Sequence, residues 1–342
     1  MIDHLLSALR ERPAFAALVD ADLVPLPATG TAHGHVALPG GLLARVAYAH
    51  EGDPAAAARL QAQAAAFRHL AAAGRTPRLQ DVLAPRPGLP GGALIVDRID
   101  GRPPRLPGEL AAMADTLALI HALPLPPAGS PIPRQADPFG ETLVLAEQTA
   151  ARFLDRAVSD AESRAAIQEE LRRLRVLAPT LARHDQPLVV ALADTHPGNF
   201  IVDRRGVAWF VDLEKVHVGS PAIDLAHATL ATSTLWDPAV GGVVLAAEAV
   251  RAFYHLYLEK AGAARATALG PWLLPMRRLV WLRTTLFMAR WRVQTRAPRD
   301  PADPGQWSDA GLAPAMKAHI DAVIDRCFRP DTIRSIRAEW MA

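Results

Sequence analysis

Apolar positions in the first fifty residues change their spacing, and each spacing predicts a different element. Residues 2–20 place Leu5, Leu6 and Leu9 on one side, which is typical of an amphipathic helix. Residues 23–50 consist of short apolar pieces, such as 42–46, separated by glycines. This second pattern predicts a small antiparallel sheet.

A helix with signals at both ends is expected to follow this sheet. Asp53 suits its cap, Pro54 suits the first helical position, and Gly74 suits the exit. The apolar run 93–96 then predicts another strand, and the polar, proline-bearing residues 97–104 form a link.

Beyond this link the apolar spacing is mainly helical. Residues 110–120 and 167–177 each carry an apolar stripe of helical period. One β interruption is expected after these two stripes, because 188–193 predicts a short strand and 200–211 predicts a hairpin. We therefore expect an α+β chain.

The length of the chain favours two lobes. A chain of 342 residues is too long for one compact core. We expect a small antiparallel-sheet lobe in residues 1–100 and a mainly helical lobe in residues 101–342, with the hinge near 97–101.

Composition excludes several kinds of protein. A net charge of +2 implies no general attraction to nucleic acid or membranes. The single cysteine, Cys327, excludes a disulfide framework and a cysteine-based metal site within one chain. The N-terminus lacks the pattern of a secretion signal, and arginines interrupt the most apolar stretch, 272–291. We expect a cytoplasmic protein, of an oligomeric state that the sequence does not indicate.

Oxygen-bearing side chains converge around the predicted hairpin. Asn199 begins the hairpin and must lie opposite residues 210–212 at its end. Asp194 lies five residues earlier, on a loop tightened by Pro197 and Gly198. Such hard oxygen ligands suit Mg²⁺, and a further carboxylate can orient a nucleophilic hydroxyl. The pattern predicts phosphoryl transfer.

The same segment resembles a known family. Residues 194–199 are similar to the D-x-x-x-x-N catalytic loop of the aminoglycoside phosphotransferase and choline kinase superfamily, distant relatives of protein kinases. Residues 210–214 resemble that family's metal-binding segment, and 219–226 resemble its G-D-P-x-x-D-L-A segment. The resemblance is dense over 188–229, looser but collinear over about 22–125, and faint after 235.

This resemblance implies a two-lobed protein-kinase-like fold and an ATP- and Mg²⁺-dependent small-molecule kinase. It implies that Asp194 accepts or orients the proton of the substrate hydroxyl, and that Asn199 and Asp212 hold Mg²⁺. Asp224 would brace the catalytic loop and His196 would orient it. Ordinary loop and cap roles are the alternatives, such as an Asx turn at Asp194 and Asn199.

Glu214, next to this segment, has two interpretations. It is either a structural residue or one that supports the metal site.

The resemblance also assigns nucleotide-binding positions in the small lobe. Gly30 lies in the glycine-containing turn that would cover the phosphates, and Asp97 and Ile99 lie in the hinge that would meet the adenine. Arg45 takes the place of the family's phosphate-binding cation, unless it is simply an exposed strand arginine. Gln63 stands where a glutamate is usual, so an Arg45–Gln63 hydrogen bond would replace an ion pair and be weaker.

The acceptor site is expected in the helical lobe. Residues 275–300 hold seven arginines and one acid, so a pocket for an anion and a surface helix with apolar-packing arginine stems are both open. Trp236, Arg283 and Arg290 are the substrate-site candidates. Few acids lie between 237 and 309, which favours a neutral or anionic acceptor over a polycationic aminoglycoside.

Two other functions are open. A weakened, nucleotide-binding pseudokinase or regulatory module is favoured by Gln63 and disfavoured by the intact Asp194 and Asp212. A kinase acting on proteins is disfavoured because only six residues separate Asp212 from Gly219, too few for a peptide-docking loop.

Overall fold

The computed structural model describes residues 1–27, 33–298, 300 and 305–340. Its small lobe contains helices α1 (Ile2–Arg10) and α2 (Ala56–Leu70), and strands β1 (Val24–Pro25), β2 (His33–Leu38), β3 (Leu42–Ala47), β4 (Leu79–Leu83) and β5 (Ala93–Asp97). Its large lobe contains strands β6 (Val189–Ala191), β7 (Phe200–Val202), β8 (Ala208–Phe210) and β9 (His217–Gly219). The helices of the large lobe are α3 (Leu110–His121), α4 (Pro138–Ala157), α5 (Ala161–Leu181), α6 (Pro221–Thr229), α7 (Ala231–Thr234), α8 (Ala247–Ala261), α9 (Ala263–Arg296), α10 (Pro314–Cys327) and α11 (Pro330–Ala338).

The small lobe is built on an antiparallel sheet of five strands in the order β1-β2-β3-β5-β4. His35 of β2 pairs with Arg45 of β3, and Arg45 pairs in turn with Leu94 of β5. Arg45 is therefore carried by a central strand, held on both sides. The predicted sheet is confirmed, and β4 is a strand that the sequence pattern did not predict.

The helix predicted over residues 2–20 is wrong in length. Helix α1 ends at Arg10, and Arg12 is extended (φ −99°, ψ 128°) before a 3₁₀ turn that starts at Pro13. A proline disfavours helical backbone at the residue before it, which explains the stop. By contrast, Gly74 terminates the α2 region with φ 60°, as predicted.

Two apolar cores lie on opposite faces of the sheet. One core joins α1 to one face, and the other joins α2 to β5 and continues into the large lobe through α3. The apolar stripe of α3 is fully buried in this second core. The lobes therefore share apolar contacts beneath the cleft that separates them.

The large lobe is organised around α9, which packs against α4, α5 and α6. Its residues Trp281 and Leu282 are fully buried, so the arginine-interrupted apolar stretch is a packed helix, as predicted. Among the described residues, every helix is too short or too polar to cross a lipid bilayer. The expected α+β architecture with two lobes is confirmed.

Candidate active site

Asp224, fully buried on α6, fixes the backbone that leads to Asp194. Its carboxylate accepts hydrogen bonds from the backbone N–H groups of Leu192 and Ala193, each at 2.7 Å. The Thr195 hydroxyl donates to the Asp224 carbonyl at 2.7 Å. His121 Nε2 lies 2.9 Å from the same carboxylate. Hydrogen bonds on both sides of Asp194 therefore set the position of the loop.

Ala193 has an unusual backbone conformation. Its φ of 63° lies in the left-handed region, which costs an L-residue about 1–2 kcal/mol. The Arg283 side chain donates to the Ala193 carbonyl at 2.9 Å. The contacts from Asp224 and Arg283 hold the strained residue in place, and strain of this kind clusters at functional sites.

Asp194 is surrounded by basic side chains. Its Oδ2 lies 2.5 Å from Lys215 Nζ, and its Oδ1 lies 3.7 Å from His227 Nδ1. Burial alone would raise the pKa of Asp194, but these neighbours hold that pKa well below its ordinary value. Lys215 is the principal cause, because burial lowers the pKa of His227 to about 3 and leaves it uncharged at neutral pH. Asp194 is therefore ionised.

Asn199 links the catalytic loop to the hairpin. Its side-chain amide donates to the Asp194 backbone carbonyl at 2.8 Å, and its own carbonyl accepts from the N–H of Val211 at 3.0 Å. The predicted position of Asn199 opposite the end of the hairpin is confirmed. Asp212 follows directly, next to this pair of strand ends.

Three carboxylates meet at the mouth of this hairpin. One oxygen each from Asp194, Asp212 and Glu214 lies within 4.8 Å of the others. Burial and the nearby charges of Asp212 and Asp194 raise the pKa of Glu214 to about 7. Carboxylates this close repel one another, so the group suits a hard divalent cation. Glu214, left open by the sequence, belongs to this group.

Arg45 reaches across the cleft to the same group. Its guanidinium donates to the Val211 carbonyl and, at 2.6 Å, to Asp212 Oδ1. Burial would raise the pKa of Asp212, but the Arg45 charge lowers it below its ordinary value. The hydrogen bond expected between Arg45 and Gln63 is not formed. The contact of Arg45 with α2 is instead to the Phe67 ring, whose centroid is 5.6 Å from the Arg45 guanidinium carbon.

His33 makes a second contact across the cleft, which the sequence did not indicate. Its Nδ1 lies 3.4 Å from Glu214 Oε2. Burial, and then the Arg45 charge, lowers the pKa of His33 to about 4, and the Gln63 side chain weakly opposes this. The ring is therefore neutral at pH 7. The preceding turn, which carries Gly30, lies outside the described residues.

The link between the lobes runs from Asp97 to Arg102. Asp97 ends β5 and accepts a hydrogen bond from Gln80 at 2.6 Å, while Ile99 is half-buried. Arg102 then pairs with Val202 of β7 through backbone hydrogen bonds of 3.2 and 2.7 Å. The link thus contacts the strand that follows the catalytic loop.

Two of the three candidates for the acceptor site, Arg283 and Arg290, lie on α9, and Trp236 follows α7. Arg283 contacts the catalytic loop itself. Trp236 packs edge-on against Phe287, with ring centroids 5.6 Å apart. The guanidinium carbon of Arg290, two turns beyond Arg283, lies 4.1 Å from the centroid of the Trp307 ring.

His196 packs edge-on against His227, with ring centroids 6.2 Å apart.

Comparison with known proteins gives the family and the fold. A sequence model of the APH phosphotransferase enzyme family matches residues 41–263, which is more than half of the chain and includes Arg45, Asp194 and Asp212. A search of curated proteins found no match.

Several solved structures have a similar fold. One is a choline/ethanolamine kinase family protein from Mesorhizobium loti, with 19% identity, a TM-score of 0.60 and coverage of 100% of both chains. Another is choline kinase from Cryptosporidium parvum Iowa II, with 15% identity, a TM-score of 0.60 and coverage of 99% of this chain and 98% of that one. A third is aminoglycoside phosphotransferase APH(3'')-Id from Streptomyces rimosus, with 21% identity, a TM-score of 0.50 and coverage of 83% and 98%. These similarities confirm the kinase-like, two-lobed fold, and the family match shows that this protein belongs to the APH phosphotransferase enzyme family.

Proposed function

We propose that this protein transfers the γ-phosphoryl group of ATP to a hydroxyl of a small molecule, with Mg²⁺ as cofactor. The observation that carries the proposal is the position of ionised Asp194 within 4.8 Å of the oxygens of Asp212 and Glu214. A hydroxyl-orienting carboxylate and a cation-binding group thus face one small volume, as phosphoryl transfer requires.

Asp212, Glu214 and the side-chain oxygen of Asn199 would hold the Mg²⁺. When bound, the cation would neutralise charge on the phosphate oxygens. Its binding relieves the mutual repulsion of the carboxylates, which is the physical reason that the residues present suit it.

Asp194 acts on the acceptor. Its carboxylate accepts a hydrogen bond from the acceptor hydroxyl and takes the proton as the hydroxyl oxygen bonds to the γ-phosphorus. The bond from that phosphorus to the β–γ bridging oxygen breaks, and ADP leaves with the electron pair. Because its pKa is low, Asp194 is a weak base, so its main contribution is orientation of the hydroxyl.

The small lobe is proposed to bind the nucleotide. Gly30 would cover the phosphates and Arg45 would bind them, with Gln63 beside it on α2. Asp97 and Ile99 would meet the adenine through backbone groups, at the proposed boundary between lobes 1–100 and 101–342. Purine nucleotides in two neighbouring structures support this: ADP with streptomycin in APH(3'')-Id and GDP in aminoglycoside 2'-phosphotransferase-IIIa.

The acceptor is proposed to be neutral or anionic and to lie along Trp236, Arg283 and Arg290. The basic environment of Asp194 supports this, because a polycation would be repelled by Lys215 and Arg283. Nucleic acid and membranes are not proposed as partners, in keeping with the small net charge. The single thiol, Cys327, is buried and suits a reducing, cytoplasmic location.

A two-stage experiment tests this function. Melting temperatures are measured with Mg²⁺ and a non-hydrolysable ATP analogue across a panel of neutral and anionic hydroxylated metabolites, and hits are assayed for ADP release. We expect Mg²⁺-dependent stabilisation by the nucleotide, and acceptor-dependent ADP release that Asp194→Asn lowers by about two to four decades. Nucleotide binding with no turnover on any acceptor would instead support the pseudokinase alternative.

A further inference from the structure

Lys215 is a basic side chain at the proposed reaction centre, and neither the family resemblance nor the sequence pattern assigns it a role. Its Nζ lies 2.5 Å from Asp194 Oδ2 and 3.9 Å from Glu214 Oε1. It therefore touches two of the three carboxylates that define the site. Its side chain is 44% exposed, whereas that of Asp194 is 16% exposed, so Lys215 is the more accessible member of the pair.

The catalytic loop does not need Lys215 to hold its shape. Asp224 and Arg283 fix the backbone before Asp194, and Asn199 bonds the Asp194 carbonyl. These contacts involve the backbone of the loop, whereas the Lys215 ammonium contacts the loop through the side-chain carboxylate of Asp194. A structural role in the loop therefore does not explain why Lys215 lies next to Asp194.

The type of cation also matters. The chain has 37 basic side chains of Lys and Arg, and only three of them, Lys215, Lys260 and Lys317, are lysines. Arginine has a rigid fork that suits a fixed pair with one carboxylate, whereas the lysine ammonium is a compact charge with three donors on a flexible stem. A lysine can keep one hydrogen bond to Asp194 and turn the other donors to a second anion.

We propose, on the basis of the function proposed above, that Lys215 is a catalytic residue whose ammonium binds the transferring γ-phosphoryl group while it is held by Asp194. That group must lie between a hydroxyl at Asp194 and a nucleotide at the cation-binding carboxylates, which is the space that Lys215 Nζ borders. Its three equatorial oxygens carry the spread negative charge during transfer, and a preorganised cation there lowers the barrier.

Kinetics of Lys215→Met and Lys215→Gln test this role. The readouts are ADP release from Mg-ATP with and without the acceptor found in the screen, affinity for the non-hydrolysable ATP analogue, and melting temperature. Removing one preorganised donor typically lowers kcat by about 100- to 1,000-fold. We expect a loss of this size in both variants, with nucleotide affinity within about threefold of wild type, because the donor acts on the transferring group.

Three further variants separate the explanations. Lys260→Met removes a lysine that is 41% exposed and paired with Asp115 at 2.8 Å, and it should leave kcat unchanged. Lys215→Arg keeps the charge and should retain more activity than Lys215→Met. Lys215→Ala should regain turnover when methylammonium is added, since a small amine can replace the missing ammonium.

Two results would overturn the role of Lys215. One is a kcat within about threefold of wild type in Lys215→Met; the other is a parallel fall of kcat, nucleotide affinity and melting temperature with no rescue by methylammonium, which would indicate a structural role. Asp194→Asn is assayed alongside. If Asp194→Asn keeps wild-type turnover, the proposed function itself is wrong. If turnover falls in Asp194→Asn but not in Lys215→Met, only the role of Lys215 is wrong.

Discussion

Arg45 and Asp212 form an ion pair, 2.6 Å between Nη2 and Oδ1, that joins β3 of the small lobe to the segment after β8. Arg45 is 6% exposed and Asp212 is 24% exposed, so solvent screens the pair weakly. The residue proposed to bind phosphate is thus paired with a residue proposed to bind the cation. Under the proposed function, both residues change partners when Mg-ATP binds.

Gln63→Glu tests this exchange of partners. Gln63 lies one helical turn before Phe67, against which Arg45 packs, so a carboxylate introduced there would compete with Asp212 for Arg45. A hydrogen bond to a charged group contributes about 1.5–3 kcal/mol, against roughly 1 for a neutral one. We expect a higher melting temperature and tighter Mg-ATP binding, measured by scanning fluorimetry and calorimetry.

The control for Gln63→Glu is the same change combined with Arg45→Ala. There the gain must disappear, because the partner cation is absent. An equal gain in both backgrounds would show that positions 45 and 63 do not interact, and the assignment of Arg45 to the phosphates would lose its support.

Asp212→Asn should remove the Mg²⁺ dependence of nucleotide binding. The amide keeps the shape of the side chain and loses the charge that attracts the cation, and loss of this charge should weaken affinity by about 10- to 100-fold. Calorimetric titration with the ATP analogue, with and without Mg²⁺, measures this change in nucleotide affinity. Binding of the nucleotide without Mg²⁺ should persist, since Arg45 is released from its pair. Unchanged Mg-ATP affinity would exclude Asp212 from the cation site.

Asp194→Asn should lower turnover by about two to four decades, the range for a positioned proton acceptor, and leave nucleotide affinity nearly intact. Because the charge of Lys215 outweighs the effect of burial and keeps the pKa of Asp194 below its ordinary value, the carboxylate stays ionised down to acidic pH. The rate profile of the wild type should therefore show no acid limb from Asp194 near neutrality. Wild-type turnover in the variant would contradict the assignment.

Ala193→Val should destabilise the protein, because β-branched residues rarely adopt the left-handed backbone that Ala193 has. The site is also buried, with Ala193 4% exposed, and overpacking costs about a further 1–3 kcal/mol. We expect a loss of about 2 kcal/mol or more in urea unfolding. Ala193→Gly is the matched control and should be nearly neutral, since relief of strain offsets the extra freedom of the unfolded chain. Equal losses in both variants would mean that backbone strain is not the cause.

Glu109, at the start of α3, pairs with Arg102 of the link between the lobes. This pair predicts that the stability of the protein depends on pH. The hydrogen bonds from Arg102, outweighing burial, lower the pKa of Glu109 to about 2. A lowered folded-state pKa stabilises the protein above the unfolded pKa of about 4.3, and this contribution is lost as pH falls towards 2. Because Arg102 is 40% exposed, we expect only about 1 kcal/mol at neutral pH.

Urea unfolding of wild type and Glu109→Gln between pH 7 and pH 2.5 measures this contribution. The difference should be constant down to about pH 5 and shrink below it. Glu11→Gln, which removes a more exposed pair with Arg86, should show a smaller effect. A difference between wild type and Glu109→Gln that does not change with pH would contradict the assigned pair.

Local sequence signals predicted most of the small-lobe sheet, though not β4, together with the hairpin and the position of the catalytic loop. These depend on local signals: the apolar period of each element, the glycines between strands, and the fixed geometry of a short hairpin that puts Asn199 opposite Val211. The family resemblance rested on the same contiguous segment, so it needed no knowledge of tertiary contacts. The one large local error, the length of α1, came from giving the apolar stripe more weight than Pro13.

The side chains that contact Asp194 and Asp212 are known only from the folded structure. Arg45 lies 167 positions before Asp212 along the chain, and nothing local to either residue shows that they pair across the cleft instead of Arg45 pairing with Gln63. Lys215 next to Glu214 has the pattern of an ordinary solvated charge until folding brings it to 2.5 Å from Asp194. Side-chain partners over such separations depend on how the two lobes pack, and periodicity and spacing carry no information on that packing.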